Sequence, residues 1–545
     1  MADGETWDVC VVGTGAAGGI LAYRLAMAGL KVISLEQGPR LPADYFRSVD
    51  PYGSRRDFGI RAHTSWPSDP HEAFFGNALF ASAGQASARR QPGGFLPYQV
   101  FAVGGLQNLW NGVSVRFSAD DVHGWPLHYD DLARHYAEVE RLVTVCGTPE
   151  NLPDLPDGVF ISPKPFRPVD ELLAKAVASL GEPTSHVTAN RKAINTLPGT
   201  ASSCQSTGGC AFGCPTDAVY KFPSRLLPRI AGLPNYALRP NAKVTRLIAS
   251  SDGARVDGVE FLDTASGERH RLRAGVVVLA AGALESPRIL FNSATEAAPA
   301  GLANAHDQVG RRLQDNPKTV LSTSLWKLWG RRRDYDIGYG DPVLIVGRGQ
   351  TSEGEAFPFL CHNSHSVPDI PHYLAGLKAF PPFVKRRLAR MMFHSYLTIG
   401  MFCSGEPNPA NRVRPCGEAD AFGVPQVVVD YTTSPRAQAR MDAMERWGRR
   451  VLGRASGTLI HGGSSDNGTG IHYAGTTGMS ADPRQGVVDA DLRCHGVENL
   501  YVCDGGVIPR LPEKHLTLTI MTLAHRLGGH LAARAAAGEL TTANA

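Results

Sequence analysis

Nowhere in its 545 residues does the chain hold an unbroken apolar run of the roughly eighteen residues that a membrane-spanning helix needs, so no segment is expected to cross a bilayer. A surplus of one charge is lacking as well. Lys and Arg number 55 against 51 Asp and Glu, a net of +4, too balanced for a protein that tracks a nucleic acid. Cysteine is sparse: 10 in so long a chain build no disulfide framework, and seven of them are scattered. The start, residues 1–7, is short and acidic and lacks the basic, apolar and small-residue regions of a secretory signal. The expected location is therefore cytoplasmic, with co-export beside a signal-bearing subunit as the alternative. Internal repeats are absent. What remains is an ordinary globular composition, 43% hydrophobic and 19% charged, with 59 Gly and 38 Pro that suit a loop-rich enzyme of two to four domains at about 150 residues each.

Residues 8–12 form a short run rich in β-branched side chains, followed by glycines and then an apolar pattern at Ile20, Leu21, Leu25 and Leu30. That order predicts strand, tight turn and helix, with Gly29 as the stop. Residues 31–35 read as a second strand with Glu36 at its end, which completes a βαβ unit. Further pieces follow at 276–280, running through Ala281 and Gly282 into a helix, and at 499–502, before a helical pattern at 516–531. Strand and helix at the beginning, middle and end imply one discontinuous α/β domain with a second inserted into it. Residues 39–100 show little periodicity and read as an excursion around a cofactor.

Gly13, Gly15 and Gly18 form G-x-G-x-x-G directly after the first strand, and Glu36 follows 23 residues after Gly13. The first glycine permits the turn, the second admits a pyrophosphate to the backbone, the third packs helix on strand, and the acid accepts from a ribose hydroxyl. Spacing alone does not separate FAD from NAD. Three further stretches stand in order: Val103-Gly104-Gly105 with Asn111 and Arg116, then Ala280 through Pro287, then His472-Tyr473-Ala474-Gly475-Thr476 with Met479, Asp504 to Pro509 and His515 to Thr519.

On these motifs the chain resembles the glucose-methanol-choline (GMC) flavin oxidoreductases, and among them the large subunits of sugar and glucoside dehydrogenases. The resemblance implies an α/β fold: a discontinuous Rossmann-like FAD-binding domain at 1–120, 196–310 and 459–545, and an α+β substrate domain with an antiparallel sheet at 121–195 and 311–458. It implies FAD held by Gly13, Gly15, Gly18, Glu36, Gly104, Gly105, Asn111, Val244, Ala281 and Asp504. Some members attach the flavin through a His after the glycine pair; residues 106–115 contain none, so dissociable FAD is expected. Read without the resemblance, Gly104 and Gly105 fit either a flat ring against backbone or a tight turn, and Ala281 either a ligand crevice or a packed strand end.

The same resemblance assigns His472 and His515, 43 residues apart, to the pair that faces the substrate hydroxyl. Removing a hydride from an alcohol carbon requires a base for the hydroxyl proton, and imidazole titrates in the right range. His461, His495, His525 and His530 have no such motif. His362, His365, His372 and His394, with Trp326 and Trp329, fit a polar pocket with aromatic walls or plain core packing. Arg331 to Arg333 and Lys385 to Arg387 read as solvated faces, or as a patch for a redox partner.

Cys204, Cys210 and Cys214 form C-x5-C-x3-C beside glycines and ahead of Pro215. Zinc would want four ligands and C-x-x-C pairs. Two alternatives stand: ligands of a 3Fe-4S cluster, which the resemblance to the dehydrogenase large subunits favours, and buried structural thiols. The expected function is thus an FAD-dependent oxidation of a sugar or glycoside CH-OH, by hydride transfer to flavin N5 with His as base. Electrons would pass through the cluster to a small subunit or a cytochrome-type acceptor. The alternatives are an O2-using alcohol oxidase with structural cysteines, and a flavin-containing hydroxynitrile-type lyase.

Overall fold

Strand Thr6–Val12 is buried along both faces, as a continuous β-branched run requires, because it lies inside a seven-stranded sheet. On one side come Val32–Leu35 and Tyr236–Arg239, both parallel. On the other lies Arg269–Leu279, also parallel. The first half of that long strand pairs antiparallel with Val256–Asp263, which carries Ala242–Ala249 beyond it, and the second half pairs parallel with Leu500–Val502. Helix Ala16–Met27 packs against the C-terminal helix Thr517–Ala536, so the two ends of the chain close one α/β layer. The computed structural model describes residues 6–48, 88–89, 95–210, 213–331, 340–364, 379–392, 394–464 and 469–540. Most of the 39–100 excursion, His365, His372, Arg332 and Arg333 lie outside those residues.

A second sheet has six strands, in the order Gly457–Ser464, Lys318–Leu325, Tyr396–Cys403, Ala356–Ser364, Val343–Gln350 and His186–Ala189, and every pairing is antiparallel. Its back is covered by helix Pro435–Arg454, whose Ser434 cap accepts from the Ala437 N–H at 3.0 Å. Met441, Met444, Trp447 and Val451 from that helix pack on Phe359, Cys361, Ile399 and Met401. Because side chains alternate along a strand, Leu360, His362, Gly400 and Phe402 fall on the opposite face, toward the first sheet. Residues 121–195 feed both cores: helix Tyr129–Val143 packs on Thr517–Ala536, while His186–Ala189 edges the second sheet. Among the described residues, no helix is long and apolar enough to cross a membrane.

Candidate active site

A cavity of about 430 Å³ runs between the two sheets, past the C-terminal ends of the parallel strands. The three glycines of the first turn do three different jobs. Gly13 has φ +95°, and a Cβ there would stand 2.6 Å from the Ala280 carbonyl oxygen. At Gly18 a Cβ would lie 2.0 Å from the Gly13 oxygen, so helix and turn touch through backbone. Gly15 has nothing within 4 Å of its would-be Cβ and opens onto the cavity. Glu36 lines the cavity while accepting from Thr14 N–H (3.0 Å), Thr14 hydroxyl (2.6 Å) and Gly38 N–H (3.2 Å). Burial pushes its carboxyl up, against those donors.

Gly105, Asn111, Val244 and Ala281 line the same space. Gly104 does not. It has φ +100°, donates its N–H to the Thr14 hydroxyl at 3.0 Å and packs on Pro223. Arg116 also stays away from the cavity, paired with Glu140 at 2.6 Å. Asp504 binds the crevice together by accepting from Gly282 N–H (3.0 Å), Ser286 hydroxyl (2.6 Å) and Gly506 N–H (2.8 Å). Arg288 donates to the Val244 carbonyl at 2.9 Å and pairs with Glu285, yet its Nη1 is buried without a partner. An open glycine at a helix N-terminus, an acid at the next strand end and an orphaned guanidinium nitrogen in one cavity fit a bound FAD.

At the far end His472 and His515 meet, ring centroids 4.5 Å apart and nearly perpendicular. The segment 314–318 sets their chemistry. Gln314 bridges by backbone to Ala474, and Asp315, paired with Lys318, accepts the His472 N–H at 2.9 Å. Asn316 Nδ2 donates to the Cys403 carbonyl (2.9 Å) and the Pro512 carbonyl (2.7 Å), which fixes its Oδ1 toward His472 Nδ1 at 2.9 Å. An amide oxygen only accepts, so Nδ1 carries the proton and Nε2 is left as the basic nitrogen. Burial pushes His472 down to about 4, and His515 well below the usual imidazole range, so both are neutral near pH 7.

Cys204, Cys210 and Cys214 come together in one apolar cluster with Cys146 and Ile194. Gly340 N–H points at Cys210 Sγ (3.3 Å) and Ala218 N–H at Cys214 Sγ (3.2 Å). Burial pushes the Cys210 thiol up to about 12 and the Cys204 thiol up as well. Among the described residues no three His, Cys, Asp or Glu side chains stand in the close geometry that would hold a single metal ion. Trp326 and Trp329 are exposed, outside the cavity, whereas His362 and Phe402 line it. Asn316, Asp315 and Arg288 are site residues that the motifs did not mark. An Asn-Pro pair reads as a turn, and nothing local shows which histidine that turn will meet.

The GMC oxidoreductase models match residues 77–318 and 407–524, and an NAD(P)-binding Rossmann-like domain matches residues 11–78. The chain is 32% identical to 6'''-hydroxyparomomycin C oxidase of Streptomyces lividus, over 98% of this chain and 93% of that one. It is 30% identical to paromamine 6'-oxidase of Streptomyces fradiae, over 99% and 93%. With the fructose dehydrogenase large subunit of Gluconobacter japonicus it shares 25% over 95% and 96%. Among solved structures, formate oxidase of Aspergillus oryzae superposes with a TM-score of 0.67 at 16% identity, over 99% of this chain and 100% of that one, which shows the shared fold.

Proposed function

Because the chain belongs to the GMC oxidoreductase family, we propose that it oxidises a CH-OH group of a sugar or glycoside, with His472 taking the hydroxyl proton. The observation that carries this reading is the Asn316 carboxamide, whose orientation leaves His472 Nε2 as an unprotonated acceptor beside His515. Held neutral by burial, His472 can take the proton as the carbon gives up its hydride, and His515 can steady the same oxygen. FAD, held along Gly15, Glu36 and Arg288, supplies the two-electron acceptor when bound. Relatives named as oxidases of paromamine and a hydroxyparomomycin, both glycosides, support the substrate class. The test is anaerobic mixing with a panel of sugars and glycosides while the flavin absorbance at about 450 nm is followed. Wild type should bleach with at least one of them and His472→Ala should not. Turnover of a cyanohydrin without any bleaching would replace this reading with the lyase.

The relatives include both oxidases and a dehydrogenase large subunit, so the electron acceptor is a separate matter. Packing of the three cysteines in one apolar cluster supports structural thiols and direct reoxidation by O2. The backbone N–H groups aimed at two of the sulfurs support the other reading, a cluster that serves a small subunit or cytochrome-type carrier. Iron content of anaerobically purified protein tests the choice: iron-free protein that turns over with O2 sustains the first, and about three irons per chain the second.

A further inference from the structure

A third imidazole extends the wall that His472 and His515 begin. His362 stands on strand Ala356–Ser364 opposite Gly400, on the face that lines the cavity. Its ring stacks on Phe402 with centroids 5.2 Å apart and planes 20° from parallel, and it lies 5.2 Å from the His515 ring. The residue is 7% exposed, and neither ring nitrogen has a hydrogen-bond partner. Nδ1 faces Asp341 Oδ1 at 3.5 Å, and Asp341 is paired with the buried Lys192 at 3.4 Å. Asp341 itself has φ +54°, held there by Asn190 donating to its carbonyl at 2.8 Å. The nearby carboxylate favours the tautomer with the proton on Nδ1, which leaves Nε2 to accept.

A buried nitrogen with no partner costs stability, and a ligand group that bonds to it recovers that cost. That ligand group is neutral. At this end of the cavity the charges are matched within the protein, Asp341 by Lys192 and Asp315 by Lys318, so an ammonium or carboxylate of the substrate would find no unmatched counter-charge. A hydroxyl can donate to Nε2 without one. With one oxygen between His472 and His515, the next imidazole along the wall is reached by the oxygen on the adjoining carbon, since neighbouring sugar hydroxyls lie about a hydrogen-bond length apart.

We propose that His362 binds a second, neutral hydroxyl of the substrate, on the carbon next to the one oxidised, so that the site selects vicinal polyols over simple alcohols. The proposal rests on the reading of the site as one that oxidises sugars.

The experiment uses the FAD-loaded full chain under anaerobic conditions, with methyl β-D-glucopyranoside and its 2-deoxy, 3-deoxy and 4-deoxy analogues as probes. Binding is read from the shift of the flavin spectrum and oxidation from its bleaching. In wild type, loss of one particular hydroxyl should raise the half-saturating concentration about tenfold or more. His362→Phe keeps a flat ring on Phe402 and should shrink that penalty below about twofold, leaving the penalties for the other hydroxyls in place. His362→Gln retains an acceptor and should keep part of the discrimination. Packing alone would move all analogues together. Deoxy penalties that are the same in His362→Phe as in wild type, or a wild type indifferent to every hydroxyl, would overturn the proposal while leaving sugar oxidation intact. A flavin that none of these sugars shifts or bleaches overturns the sugar reading along with it.

Discussion

Asn316→Ala removes the residue that fixes the His472 tautomer without touching the imidazole. It deletes the donations to the Cys403 and Pro512 carbonyls, 2.9 and 2.7 Å, and the acceptance from His472 Nδ1, 2.9 Å. A neutral hydrogen bond contributes about 1 kcal/mol net, and each buried group left without a partner costs about 1 to 3 kcal/mol. The fold should lose about 3 kcal/mol, seen as a fall of a few degrees in Tm. The effect on chemistry should be smaller than the loss of the base itself. About 1 kcal/mol holds the proton on Nδ1, so releasing it shifts the tautomer ratio about fivefold, and the competent fraction falls by at most that factor. Stopped-flow flavin bleaching under nitrogen should therefore slow by up to about fivefold in Asn316→Ala, against about 10² to 10⁴ in His472→Ala, with FAD content near wild type in both. An unchanged rate in Asn316→Ala would refute the tautomer argument. A loss as deep as that of His472→Ala would refute the division into a base and a positioning residue.

Gly15→Val should fold and lose FAD, because its new side chain enters open cavity, whereas Gly18→Val should fail to fold, because its Cβ meets the Gly13 carbonyl oxygen; soluble yield and flavin content separate them. Acid precipitation of wild type should release yellow FAD into the supernatant, and a coloured pellet would point to covalent attachment. Burial holds His135, His472 and His525 down to about 4, while in the unfolded chain they return to about 6.5. Between those values the unfolded state binds more protons, so stability falls as pH drops; Tm should decline from pH 6.5 toward 4, and a flat profile would count against their burial as neutral groups. Cys210→Ser should keep substrate-dependent bleaching, and if it also leaves O2 turnover intact the cysteines are structural.

The βαβ start was legible because three signals agree there: a β-branched run, glycines at fixed offsets and an acid at the next strand end. The histidine pair was legible only through its motif, since burial and the partner of each ring are tertiary facts. Asn316 shows why. Its partners Cys403 and Pro512 come from distant parts of the chain, and no local pattern predicts that two carbonyls will turn its amide. For His362 a signal did exist: Phe357, Phe359 and Cys361 alternate with it and share the covered face, so period two places His362 on the other. For the cysteines, the spacing left ligands and structural thiols both open, and the fold adds that all three meet in one apolar cluster, a tertiary fact. Helix Tyr129–Val143 joins the core of the first sheet beside Thr517–Ala536, a choice of partner that composition around residue 120 does not reveal.

The most direct measurement of the central claim is anaerobic flavin bleaching at about 450 nm by a sugar or glycoside, compared between wild type and His472→Ala at equal FAD content. The account predicts full bleaching in wild type and a rate lower by about 10² or more in the variant. Equal bleaching in both would contradict it, because the proton would then leave the substrate without the nitrogen that Asn316 holds free.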